Sequence, residues 1–494
     1  MGRRDERHSG RPRWRVLPAV LVLLLLASAV AADELEAGPR WLGWDWSGPV
    51  DQPAAVDPPP GLDLPALRPA PVVLAGSPLG GAPVPDLDEA AIAQVVAPYL
   101  DRDDLGRRLT VAVAALGSAE PAYVTGAERV TPASTTKLLT ATAVLSALGP
   151  DHTFRTTVRG VPGTPRIVLV GGGDPFLARE QSEADAPPAY PARADLRTLA
   201  TATASALRAA GRTRVRLDYD ATLFTGDRVN PAWPASYGPD DVVAPISALW
   251  VDGGRPDEGD GRVDDPPRVA AEEFADALRA VGIRVAPRVR ERAAPAEATE
   301  LAEVSSAPLE QIVERALDVS DNETTEVLGH HVALARNTEA TFEGAAAAVV
   351  ATLGELGVDA SGDTLRDSSG LSRENLISPE TLLGVLAVAA ERPELRAVLG
   401  GLPVAGFTGS LALRFDTGDP AGLGQVRAKT GTLTGVHGLA GVVTEAGGTP
   451  LAFVVLADRV RAPGGIGSGG IEQAVARQRI DELAADLAAC RCSR

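Results

Sequence analysis

Ser134-Thr135-Thr136-Lys137 holds one of only two lysines, Lys137 and Lys429, among 47 basic residues. Wherever else a cation is needed, the chain uses arginine. Arginine stays charged in any protein environment, whereas a desolvated lysine can lose its proton and serve as a base. A spacing of three puts Ser134 and Lys137 on one face if the stretch is helical. Pro132 upstream and the run Leu138 to Leu145 downstream place the serine near a helix start. The positive end of the helix dipole and burial both disfavour an ammonium there, so a neutral Lys137 can take the proton of Ser134 as it attacks.

Two further pieces fit the same chemistry. Ser320-Asp321-Asn322 falls between two predicted helices, where a turn can aim Ser320 and Asn322 into a cleft. The Ser320 hydroxyl could relay a proton to a departing amine, and the Asn322 amide could hold a peptide group. Lys429-Thr430-Gly431 ends a predicted strand. Lys429 and Thr430 can bind a substrate carboxylate, and Gly431 lets substrate lie along the strand edge. The backbone N–H groups of Ser134 and Thr432 then serve as oxyanion donors. Each piece alone is a weak signal, since S-x-x-K recurs by chance and S-D-N can cap a helix, but their joint occurrence in this order is specific.

Around these motifs the chain divides into segments. Residues 1–32 join a basic head (Arg3 to Arg15) to an uncharged run, Val16 to Ala32, ending in small residues, as an export signal does. An uncleaved anchor is the alternative, with Trp41, Trp44 and Trp46 at the outer interface. Residues 33–85 are a proline-rich spacer. Residues 86–152 and 301–494 read as one catalytic domain, and 153–300 as a lobe inserted into it, with strands at Phe154 to Val158, Arg166 to Val170, Val215 to Tyr219 and Ile283 to Val289. Helices are expected at Leu196 to Ala209, Ala270 to Val281, Pro308 to Leu317, Glu323 to Ala335, Phe342 to Leu356 and Pro379 to Ala390, the last capped by Ser378.

A net charge of −18 leaves no broad basic surface for nucleic acid. The five histidines are scattered without metal-ligand spacing, His330 and His331 being read as helix surface or core, so neither metal nor cofactor is expected. Cys490 and Cys492 are too close in sequence for an intrachain bridge by this reading and belong to a tail without a role.

Ser134-Thr-Thr-Lys137, Ser320-Asp-Asn322 and Lys429-Thr-Gly431 resemble the three active-site motifs of penicillin-binding proteins and serine β-lactamases. The long gap between the first two, with Gly171-Gly-Gly-Asp174-Pro175 and Ala244-Pro-Ile-Ser-Ala-Leu249 inside it, narrows the resemblance. So does the later Asp367-Ser-Ser-Gly370-Leu-Ser-Arg373. All resemble the D-alanyl-D-alanine carboxypeptidase/endopeptidase family, the class C low-molecular-mass penicillin-binding proteins. The resemblance implies an α+β, β-lactamase/transpeptidase-like fold: an antiparallel sheet flanked by helices plus a helical lobe, with an inserted α/β lobe between the first and second motifs.

It also implies removal of terminal D-alanine from peptidoglycan stem peptides through a Ser134 acyl-enzyme, cleavage of cross-links as a further activity, and covalent inhibition by β-lactams. An exported, extracytoplasmic protein follows, with a membrane involved only if the N-terminal segment is retained. Two alternatives stay open. A β-lactamase would need a deacylation base, and no E-x-x-L-N element is present. A non-catalytic wall-binding protein of the same fold would carry a damaged motif, and none is damaged.

Overall fold

The computed structural model describes residues 85–100, 102–106, 108–181, 189–460 and 469–494. The export segment and most of the spacer expected from the sequence lie outside the described residues. The first part of the described chain forms α1 (Glu89–Leu100), β1 (Arg108–Ala115), β2 (Tyr123–Gly126), a 3-10 turn (Ala133–Thr136) and α2 (Lys137–Leu148). Then come β3 (Arg155–Gly160), β4 (Arg166–Val170), α3 (Leu196–Ala209), β5 (Arg214–Asp220), α4 (Pro266–Ala280), β6 (Arg284–Val285) and β7 (Thr299–Ser305). Helices α5 (Leu309–Asp318), α6 (Asn322–Ala335), α7 (Phe342–Glu355), α8 (Pro379–Glu391) and α9 (Arg396–Gly400) follow. The chain ends with β8 (Val426–Leu433), β9 (Val436–Thr444), β10 (Pro450–Asp458) and α10 (Gly469–Ala489).

β1 is buried along nearly its whole length, which requires cover on both faces. It pairs antiparallel with β2 and β10 in a sheet of order β2-β1-β10-β9-β8. On one face Val111, Val113, Phe453 and Val455 pack with Ile92 and Val96 of α1 and Leu483 of α10. On the other, Ala112, Val454 and Leu456 meet Leu139 and Val144 of α2, Leu328 of α6 and Leu383 of α8. The α8 helix begins as its sequence reads, with the Ser378 hydroxyl accepting from Thr381 N at 3.1 Å and Pro379 in the first turn.

A second sheet, ordered β6-β5-β4-β3-β7, has its own core of Val158, Leu169, Leu217, Leu199 and Phe274 under α3 and α4. Its β4, β5 and β6 run parallel, and helical crossovers join them. The strand expected over Ile283 to Val289 is shorter than its apolar pattern suggests. Only Arg284–Val285 forms the regular ladder, which ends where Ala286 N donates to Val215 O, just before Pro287. A third cluster, Trp233, Ile246 and Trp250 against Val327, Phe342 and Leu371, joins the 230–250 segment to α6 and α7.

The C-terminal tail corrects the sequence reading. Cys490 and Cys492 are bonded to each other, their Cα atoms 5.5 Å apart, a separation that the irregular chain after α10 can reach. Nor is the tail frayed: Cys492 is fully buried, Asp88 N donates to Cys492 O, and Arg494 N donates to Asp86 O. Among the described residues no helix is long and apolar enough to cross a membrane.

Candidate active site

Ser134 lies on the 3-10 turn and not in the α-helix that begins at Lys137. In a 3-10 turn side chains three apart eclipse, so the serine and lysine face each other more directly than α-helical spacing allows. Ala133 enters the turn with φ +47°, an expensive conformation for a residue with a Cβ. Gly370 packs against it: a Cβ there would lie 1.9 Å from Ala133 O.

Lys137 is fully buried, and its Nζ lies 3.0 Å from Ser134 Oγ, 2.7 Å from Asn322 Oδ1 and 2.7 Å from Ser369 O. A neutral amine has two hydrogens and one lone pair. The two carbonyl-type oxygens can only accept, so they take both hydrogens and leave the lone pair aimed at the serine hydroxyl. Burial lowers the Lys137 pKa to about 8, against the opposing pull of Asp367, Glu326, Asp321 and Glu323.

Asn322 opens α6, which Asp321 caps by accepting from Thr324 N at 2.9 Å. With Oδ1 given to Lys137, its amide nitrogen donates to Val242 O at 3.3 Å, so the inserted segment reaches the motif directly. Ser320 sits in the turn before α6 with φ +60°. Among the described residues its hydroxyl makes no hydrogen bond, so the structure brings it to the site through the backbone and not through a contact with Ser134 or Lys137.

The third motif occupies edge strand β8. Lys429 is fully buried, its Nζ donating to Thr430 O at 3.0 Å, and burial followed by the charge of Lys137 pushes its pKa well down. It therefore stands behind Thr430, whose hydroxyl lies 3.0 Å from that of Ser410. Ala405 N donates to Val426 O and Ala428 N to Pro403 O, so even-numbered residues of β8 turn their backbone groups away from β9. By the same alternation the Thr430 and Thr432 N–H groups face the open edge. Gly431 answers a packing demand that the sequence reading assigned to substrate: a Cβ there would lie 2.7 Å from Pro132 O.

Several participants carry no recognisable catalytic type. The Ser369 carbonyl that holds Lys137 belongs to a turn gripped by two buried carboxylates. Glu326 Oε1 accepts from Ser368 N and Ser369 N at 3.1 and 2.8 Å. Asp367 accepts from Gly370 N, Ser372 N, Asn375 Nδ2 and Trp233 Nε1. Burial, then the charge of Asp367, raises the Glu326 pKa to about 8. Asp367-Ser-Ser-Gly370 is visible in the sequence as a motif, but a backbone carbonyl has no signature there. His330 and His331 lie in the core, stacked among Phe154, Phe224 and Phe342.

The model of the D-Ala-D-Ala carboxypeptidase 3 (S13) family matches residues 92–260 and 255–485. The chain belongs to this family. It is a serine-type D-Ala-D-Ala carboxypeptidase, a peptide hydrolase. It is 33% identical to carboxypeptidase DacB of Mycolicibacterium smegmatis over 97% of this chain and 99% of that one. It is 36% identical to a carboxypeptidase of Mycobacterium tuberculosis over 73% of this chain and 76% of that one. The crystal structure of penicillin binding protein 4 from Haemophilus influenzae superposes with a TM-score of 0.63, covering 80% of this chain and 99% of that one at 21% identity, which speaks for the fold.

Proposed function

We propose that this chain removes the terminal D-alanine from peptidoglycan stem peptides through an acyl-enzyme on Ser134, with Lys137 as the general base. The observation that carries the reading is the Lys137 amine held by Asn322 Oδ1 and Ser369 O with its third position on Ser134 Oγ. The serine proton passes to Nζ while Oγ attacks the carbonyl carbon of the penultimate D-alanine. The Ser134 and Thr432 N–H groups meet the developing oxyanion, one as an unpaired amide of a first helical turn and the other on the free edge of β8.

Collapse expels the terminal D-alanine as an amine, which takes a proton through the unengaged Ser320 hydroxyl, and water then cleaves the ester. The substrate's terminal carboxylate sits on the Thr430 and Thr432 hydroxyls. Lys429 supports it from behind, its protonated form favoured once that anion binds. Peptide cross-links that place a D-alanyl bond in the same cleft are a second substrate class, and β-lactams acylate Ser134.

The division into a catalytic body (86–152 and 301–494) and a nested lobe (153–300) is part of the proposal, supported by the lobe's separate sheet and core. So is an extracytoplasmic site of action after export by residues 1–32. The test is incubation with a peptide ending in D-Ala-D-Ala and assay of free D-alanine. Release that disappears in Ser134→Ala, together with covalent labelling by fluorescent penicillin, is the expected result. No release with labelling intact would leave a penicillin-binding protein with another substrate.

A further inference from the structure

Sharing no residue with the three motifs, a cavity of about 350 Å³ on the face of the second sheet opposite α3 and α4 is lined by Arg166, Arg216, Arg288, Arg290, Arg292 and Asp218. The placement follows from the strand pattern. In β5, Val215, Leu217 and Tyr219 point into the core, which turns Arg216 and Asp218 outward. After Pro287 the chain continues extended beside β5, with Arg292 N donating to Tyr219 O and Tyr219 N donating to Arg290 O. Val285 and Val289 pack toward the core, leaving Arg288, Arg290 and Arg292 on the same outward side as Arg216.

On this face most of the arginines have no carboxylate partner. Arg166 Nε donates to Asp218 at 2.7 Å, which engages the only carboxylate in the lining. Arg216, Arg288, Arg290 and Arg292 are exposed, and none forms an ion pair among the described residues. Acidic residues outnumber basic ones 65 to 47 in this chain, so partners for four neighbouring arginines are not scarce. Like charges left together repel, and an anion from outside relieves that repulsion.

Several planar guanidinium forks converging on one cavity suit a group with three or more acceptor oxygens arranged in a tetrahedron, each fork gripping two of them. A carboxylate offers only two oxygens in one plane.

We propose that this arginine-lined face is a binding site for phosphate groups of an anionic chain, either a free oligophosphate or a phosphodiester polymer. The site is independent of the peptide-cleaving cleft, so neither reading depends on the other.

The test uses the full chain and fluorescein-labelled inorganic polyphosphate, followed by anisotropy at low and at physiological salt. The expected result is saturable binding that weakens with salt and falls at least tenfold in the triple variant Arg216→Ala/Arg290→Ala/Arg292→Ala, whose positions are exposed. Release of D-alanine from a soluble peptide is the readout of folding and should be unchanged in that variant. Competition separates the sources: displacement by tripolyphosphate alone points to free oligophosphate, and stronger displacement by poly(glycerol phosphate) points to a polymer. Absence of binding, equal affinity in the triple variant, or equal displacement by poly-L-glutamate would each overturn the proposal.

Discussion

Lys137 and Lys429 are both fully buried and both desolvated, yet their surroundings differ in sign. Around Lys137 four carboxylates oppose the effect of burial, which leaves its pKa at about 8. Around Lys429 the neighbouring charges are chiefly those of Lys137 and Arg414, which push the same way as burial, with Asp318 opposing. Desolvation alone makes a lysine neutral. Carboxylates at a distance tune how often it is neutral near physiological pH, as a reusable base requires. Lys429 has no such tuning and becomes a partner only when a substrate anion arrives.

Breaking the first environment should have the largest effect. Lys137→Arg keeps a cation that cannot accept a proton, so kcat/KM for D-alanine release should fall about 10²- to 10⁴-fold. Retention of most activity would remove Lys137 from the role of base. Lys429→Met should act next, raising KM for a peptide with a free terminal carboxylate roughly ten- to a hundredfold and changing kcat less, since one charge-assisted contact is lost. An equal loss with a C-terminally amidated peptide would mean that Lys429 does not serve the carboxylate.

The pH dependence sharpens the comparison. Acylation needs the neutral form of Lys137, so kcat/KM should climb with pH and level off above about 8. Asp321→Asn removes a charge that favours the ammonium and keeps a side chain that can cap α6, so the rising limb should move to lower pH with less than about tenfold loss at its plateau. A limb that stays in place would limit Asp321 to capping α6.

Stability gives the smallest effect. Because the folded pKa of Lys137 lies below the ordinary lysine value of 10.5, the folded protein resists protonation there and loses stability as pH falls from about 10.5 to about 8, with no further change below. The loss is about 3 kcal/mol, at about 1.4 kcal/mol per unit. In Lys137→Met this dependence should vanish, which denaturant unfolding at a series of pH values measures. A parallel pH dependence in the variant would assign the loss to another group.

How far the sequence carried the account depends on whether each feature was local. Helix α8 with its Ser378 cap and helix α3 over Leu196–Ala209 follow from caps and periodicity a few residues long. The Ser134–Lys137 pairing follows from spacing. The 3-10 turn does not, because Ala133 adopts its positive φ where the turn meets Gly370, more than two hundred residues later in the chain. The Val242 carbonyl on Asn322 and the Ser369 carbonyl on Lys137 are backbone groups that every residue has, and only tertiary structure selects them. The Cys490–Cys492 bond was misread for a related reason: docking of the tail against Asp86 and Asp88 fixes the local chain path, and spacing alone does not report it.

With only two lysines in the sequence, uniform labelling with ¹⁵N,¹³C-lysine yields two side-chain signals, and Lys429→Met assigns the remaining one to Lys137. Titrating that signal by NMR reads the base directly. A midpoint near 8, coinciding with the rising limb of acylation, is the predicted result. A midpoint near the ordinary lysine value of 10.5 would contradict the assignment of Lys137 as proton acceptor.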